Sequence, residues 1–171
     1  FDTNQKKSNH LIIGGSFTWL PKEENLINFL KSKKFSLLND AGIKLLIVGR
    51  AHQRTMNMVN NKFKGVEMTG RVADLIPYYE KAKISIVPEV LGGGFKLKVL
   101  ESALTKTAIF AIKGAITECN FLKGKHFIES DSFEELITEI IHYQNKNERL
   151  NEIIEHAYQL VKHEYTLEKI I

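Results

Sequence analysis

One cysteine, Cys119, occurs in 171 residues, which excludes an intrachain disulfide framework and a cysteine-rich metal site and fits a reducing compartment. No apolar run approaches the length of a bilayer crossing. Apolar stretches such as Leu45–Val48 and Ile84–Val87 are a few residues long, against the roughly 20 residues a spanning helix needs. No charged-then-apolar leader opens the chain, so the expectation is a soluble, cytoplasmic domain. Charge of one sign is also scarce. The net charge is +4, with lysines interleaved with acids, which argues against a nucleic-acid footprint and leaves a local anion site as the economical reading. No internal repeat or low-complexity segment appears. The first residue is Phe1 rather than methionine, and the chain is read as a piece of something longer.

Missing motifs narrow the chemistry further. Six histidines (His10, His52, His126, His142, His156, His163) are scattered without metal-ligand spacing, so no metal is expected. Ser16, Ser85, Ser102 and Cys119 sit in no Gly-x-Ser-x-Gly elbow and beside no recognisable base, which disfavours a hydrolase.

What is present is a globular composition, 43% apolar and 26% charged, long enough to bury roughly 70% of the unfolded chain's surface. Short apolar runs ending in glycine alternate with stretches of helical spacing. Strands are expected at His10–Gly15, Ile43–Gly49, Val66–Gly70, Ile84–Val87, Thr107–Ile112 and His126–Ile128. Helices are expected from Pro21, with Leu26, Ile27, Phe29 and Leu30 as its stripe, over Gln53–Phe63, after a cap at Asp74, from about Phe95 to Thr105, from Ser132, and over Arg149–Lys162. Lys31, Lys33 and Lys34 would compensate the first helix's negative end. Tyr78 and Tyr79 share the helix after Asp74, where at least one should pack in the core. Trp19 is either a lid over a ligand or a plug between domains.

This alternation predicts an α/β, Rossmann-like three-layer domain with a mostly parallel sheet and helices on both faces. Ligands of such sheets bind beyond the strands' carboxyl ends, where the strand order reverses. Gly14–Ser16, Gly49–Arg50, Gly70–Val72 and Glu89–Gly94 should therefore border one cleft.

The most informative stretch is PEVLGGGFKLKVLESAL, from Pro88 to Leu104. Three glycines precede a helix whose first turns carry Lys96 and Lys98. Glycines admit close backbone approach, and a helix start with nearby lysines favours an anion, so a diphosphate seat is one reading. A carboxylate beyond it, Glu101, can accept two hydrogen bonds from ribose hydroxyls. A plain glycine-rich turn with a solvated lysine face is the other reading.

These residues also carry a resemblance. GGGFKLKVLESAL resembles the donor-site segment of bacterial glycosyltransferases with the GT-B fold, in the subset having Gly-Gly-Gly, a variable residue, Arg or Lys, Leu-Lys and a final Glu. Gly14-Gly15-Ser16 followed by Trp19 and Pro21 resembles their first glycine turn. Val48-Gly49-Arg50 resembles the end of their second strand, and Gly70-Arg71-Val72-Ala73-Asp74-Leu75 their Gly-x-Val-x-Asp-Leu turn.

The resemblance implies that the chain is the C-terminal, nucleotide-sugar-binding half of a GT-B enzyme whose N-terminal acceptor domain lies outside it. It implies transfer from a nucleoside-diphosphate sugar, UDP or GDP, to a glycan or lipid-linked acceptor, in cell-surface polysaccharide synthesis and with retention at the anomeric carbon. No cofactor is implied, and the full-length enzyme could touch the inner face of the plasma membrane. The isolated chain should be inactive. Catalytic roles fall to Lys96 and Lys98, stabilising the leaving diphosphate, and to Glu101, gripping ribose. Gly14, Gly15, Gly94 and Phe95 would cradle the diphosphate and Arg71 with Val72 would border the base, with Ser16, Arg50 and Gly93 also in the donor-binding set.

Two departures stand out. Gly93 occupies the place of the first of two glutamates in many members, and Thr105 and Thr107 replace the Gly and Pro flanking Lys106. Rival readings are a nucleotide-binding Rossmann module, whose Gly-x-Gly-x-x-Gly spacing is missing at Ile13–Ser16, and a nucleotide-sugar epimerase of GT-B architecture.

Overall fold

The computed structural model describes residues 7–89, 97–117, 119–145 and 147–165. Six strands form one sheet: β1 (Ser8–Gly14), β2 (Lys44–Val48), β3 (Val66–Gly70), β4 (Ala82–Val87), β5 (Ala108–Ile112) and β6 (Ile128–Ser130). Their order is β3-β2-β1-β4-β5-β6, and every neighbouring pair is parallel. The helices are α1 (Leu20–Leu30), α2 (Ser36–Asp40), α3 (Gln53–Lys62), α4 (Ile76–Lys81), α5 (Leu97–Leu104), α6 (Phe133–Gln144) and α7 (Asn147–Glu164).

Two-residue alternation along each strand divides the core. Leu11, Ile13, Leu45, Ile47, Val66, Met68 and Phe110 pack on one face with Leu26 and Phe29 of α1, Val59 of α3, and Leu136, Ile137 and Ile140 of α6. The opposite face has two parts. Ile109 and Ala111 meet Val99 and Ala103 of α5 and Ala157 and Val161 of α7, while Ile12 and Val48 meet Tyr79 of α4. The three-layer expectation holds, and the sheet is parallel throughout its described strands. Among the described residues no helix is long and apolar enough to cross a membrane.

Several boundaries differ from the sequence expectation. The sixth strand is Ile128–Ser130 rather than His126–Ile128, because His126 serves the preceding turn, where its Nδ1 accepts from the Leu122 amide at 2.9 Å. The five-residue α2 is too short to show a helical stripe in sequence. The last helix begins at Asn147 and ends at Glu164. The helix α1 stops at Leu30, so Lys31 caps it, and Lys34 reaches across to Thr138 at 2.9 Å. Ser132 caps α6 as expected, accepting the Glu135 amide at 3.1 Å.

The end of α5 shows how the chain manages without the glycine and proline that its resemblance to other sequences leads one to expect beside Lys106. Lys106 itself takes the left-handed position, at φ 52, the one non-glycine residue with positive φ among those described. The Lys106 amide bonds to Ala103 O at 3.1 Å and the Thr107 amide to Ser102 O at 2.8 Å, the pairing of a Schellman terminus. Thr105 bonds back to Glu101 O at 2.8 Å, and Thr107 donates to Tyr79 O at 2.7 Å. The two threonines thus tie the end of α5 to α4.

Candidate functional site

The strand order reverses between β1 and β4, since their outgoing chains cross to opposite sides of the sheet. A crevice opens there beyond the carboxyl ends. Backbone bonds gather the turns on the β1 side. The Gly15 amide bonds to Val48 O at 3.0 Å, the Phe17 amide to Arg50 O at 2.7 Å, and the Gly49 amide to Gly70 O at 3.0 Å. Gly49 sits at φ 139 so close to Gly15 that a Cβ would overlap the Gly15 carbonyl oxygen. Glycine is required there by both conformation and space. Gly14, Gly15, Ser16, Arg50, Arg71 and Val72 accordingly lie along one rim, with Ser16, Arg50 and Arg71 exposed and Val72 packed on the α4 cluster.

The opposite rim is β4 and the start of α5. Asn25 of α1 donates to Pro88 O at 2.5 Å, fixing the residue before Glu89. Glu89, buried to 4% exposure, forms an ion pair with Lys98 on α5. The Lys98 ammonium then lies 3.5 Å from where a Gly15 Cβ would stand, so its charge sits beside the first glycine turn. Lys96, Gly93, Gly94 and Phe95 fall outside the described residues.

Glu101 lies one turn along α5 from Lys98 and is half-buried. Burial first, then the negative charge of Asp74, raises its pKa above the usual carboxylate range, with Lys98 pulling the other way. Tyr79 of α4 is fully buried, its ring against Gly14 so tightly that a Cβ on that glycine would overlap the phenol oxygen. Burial, followed by the charges of Glu101 and Glu89, pushes the phenol above the ordinary tyrosine range.

The sequence expectation of one cleft bordered by the turns after β1, β2 and β3 and by Glu89 agrees with this arrangement, and Lys98 and Glu101 join it. Three roles are not legible in the sequence: it places Glu89 at the cleft border without its lysine partner, offers Asp74 as a cap, and expects at least one of Tyr78 and Tyr79 in the core without choosing between them. Asp74 does accept the Ile76 amide at 3.0 Å, and Tyr79 is core. No spacing rule pairs Glu89 with a lysine nine positions away across a glycine run. Trp19 and Leu20 follow the first turn and are 50% and 59% exposed.

Comparisons with known proteins agree on the fold. The family model described as "Glycosyl transferases group 1" matches residues 9–145. Among solved structures, a variant of S. aureus TarM in complex with fondaparinux, α-GlcNAc-glycerol and UDP is similar at TM-score 0.76 and 16% identity, over 98% of this chain and 35% of that one. Anabaena HepE in complex with UDP is similar at TM-score 0.73 and 14% identity, over 96% of this chain and 46% of that one. The C-terminal domain of the Francisella tularensis group 1 protein LpcC is similar at TM-score 0.66 and 20% identity, over 97% of this chain and 90% of that one. The chain thus spans about a third of the length of TarM and under half that of HepE. No curated protein matches the sequence.

Proposed function

The chain belongs to the group 1 glycosyltransferases, and from that premise we propose that it is the donor-binding domain of an enzyme that transfers a sugar from a nucleoside-diphosphate sugar. The observation that carries the reading is the crevice itself. A glycine turn at Gly14–Gly15, an ammonium at Lys98 and a carboxylate at Glu101 meet at the strand-order reversal of a parallel sheet.

In the reaction, the bond from the anomeric carbon to the diphosphate oxygen breaks while a bond to the acceptor hydroxyl oxygen forms, and the acceptor's proton passes to the departing diphosphate and on to solvent. The charge left on the diphosphate is met by Lys98 and by backbone amides of the glycine turns. An ammonium has three donors, so Lys98 can keep Glu89 and still serve phosphate oxygens beside Gly15. The resemblance assigns Lys96, Gly93, Gly94 and Phe95, which lie outside the described residues, to the same donor site. Glu101 accepts from the ribose, and Arg71 with Val72 borders the base.

No cofactor or metal enters this account. UDP is the first donor nucleotide to test, since TarM and HepE structures hold it, and GDP the second. The acceptor, a glycan or lipid-linked saccharide of cell-surface polysaccharide synthesis, is held by an N-terminal domain outside this chain, which also accounts for any contact with the inner face of the plasma membrane. The chain alone binds donor weakly and transfers nothing.

Calorimetric titration with UDP, GDP, ADP and CMP tests the reading. Binding of one diphosphate, weakened at least 10-fold in Lys98→Ala and in Glu101→Ala, is expected. Equal binding by both variants would contradict it, as would sugar transfer by the chain alone.

A further inference from the structure

Buried hydrogen-bonding groups are nearly always partnered, and the floor of the crevice holds an exception. Tyr79 Oη is buried and has no hydrogen-bond partner among the described residues. A phenylalanine would fill the same space without that cost, so the hydroxyl calls for an explanation. Its surroundings supply one. The ring is seated on Gly14 at the end of β1, α4 is tied to the end of α5 through the Thr107 hydroxyl on Tyr79 O, and two carboxylates, Glu101 and Glu89, act on the phenol electrostatically.

Of the two, Glu89 is held by Lys98. The Glu101 carboxylate accepts no hydrogen bond from any described residue, although it is half-buried and lies near the negative charge of Asp74. A buried donor lacking an acceptor therefore lies within electrostatic reach of an acceptor lacking a donor. A carboxylate has about four lone-pair sites, enough for two ribose hydroxyls and one phenol at once.

We propose that Tyr79 is a positioning residue of the crevice: when a nucleotide's ribose engages Glu101, the phenol hydroxyl of Tyr79 donates to the same carboxylate and locks its orientation. The inference rests on the donor-site reading. Tyr79 touches no substrate, since it is sealed beneath Gly14, and it acts through Glu101 alone. The hydroxyl is thus a liability in the empty domain and an asset in the filled one, which gives its two readouts opposite signs.

The test is thermal unfolding and calorimetric titration of the unaltered chain, Tyr79→Phe and Glu101→Ala, with UDP and with 2′-deoxyuridine diphosphate. Tyr79→Phe should raise the Tm of the nucleotide-free chain and weaken UDP binding by about 10-fold, the contribution of one hydrogen bond to a charged group. The loss should shrink for the deoxynucleotide, which offers Glu101 one hydroxyl fewer. A lowered Tm would overturn the inference, because the hydroxyl would already be satisfied. Unchanged UDP affinity in Tyr79→Phe, with binding lost in Glu101→Ala, would overturn it and leave the donor site standing. Absence of binding by the unaltered chain would overturn both.

Discussion

Glu101 titrates in a setting that burial and Asp74 make unfavourable for its charge, and a measurable consequence follows for ligand binding. A carboxyl whose pKa is raised takes up its proton at a higher pH than an ordinary glutamate, and the protonated form is a poorer acceptor for ribose hydroxyls. UDP affinity should therefore fall on acidification from a pH above the usual carboxylate range, and Glu101→Gln should bind weakly with a flatter profile. Linkage gives the companion sign for folding. The native state holds this proton more tightly than the unfolded chain, so the stability attached to Glu101 is present below the unfolded value and is lost as pH rises through the raised native one. Titrations across pH in both proteins check the first statement, and identical profiles would contradict it. Lys98 and Glu101 are legible in sequence as candidates because a glycine run before a helix offers an anion seat, while the choice between that seat and a plain turn rests on the resemblance. The Glu89–Lys98 pair is not legible, because it joins residues through space at the reversal of strand order.

At the scale of elements, the end of α5 offers a clean separation of backbone from side-chain effects. Lys106 holds the left-handed position that glycine usually fills, and its ammonium bonds Glu155 at 3.0 Å and lies 4.5 Å from the centre of the Tyr158 ring. Both Lys106→Gly and Lys106→Ala lose those contacts with α7, and they differ in whether the new residue tolerates positive φ. The glycine variant should be more stable than the alanine variant by about 1 kcal/mol, the reverse of their order inside a helix. Chemical denaturation of the two variants measures the difference, and equal stability would mean that the turn relaxes out of its left-handed form. The same scale shows where sequence reading succeeds. Strands β1 to β5 are legible from short runs of strand-forming residues, those of β1 to β4 ending at glycine or proline, with ends displaced by only a residue or two. The strand β6 slipped because three residues hold too little alternation to fix a register, and α2 escaped because a single turn has no period.

For the whole molecule, the order of the strands matters more than any one of them. Four strand ends, from β1 to β4, deliver their turns to a common crevice, and hydrogen bonds among Gly15, Val48, Gly49 and Gly70 lock three of them together. A sequence shows each turn but not the order in which the strands lie, so the cleft could be expected from general rules of parallel sheets and its residues named, while the inner contacts of its floor could not. The opposite end of the sheet is a useful control. A groove of about 730 Å³ opens there, lined by His10, Lys44, Lys64 and Lys81 among others, and its three lysines also attract anions. A nucleotide drawn by charge alone would visit it.

The most direct test of the account is therefore where UDP lands, followed residue by residue through backbone amide resonances of the labelled chain during titration. The account predicts saturable shifts at Gly14, Gly15, Ser16, Gly49, Arg71, Val72, Lys98 and Glu101, with those of Lys44, Lys64 and Lys81 unmoved. Shifts concentrated at those three lysines, with the glycine turns unmoved, would contradict the donor crevice at its centre.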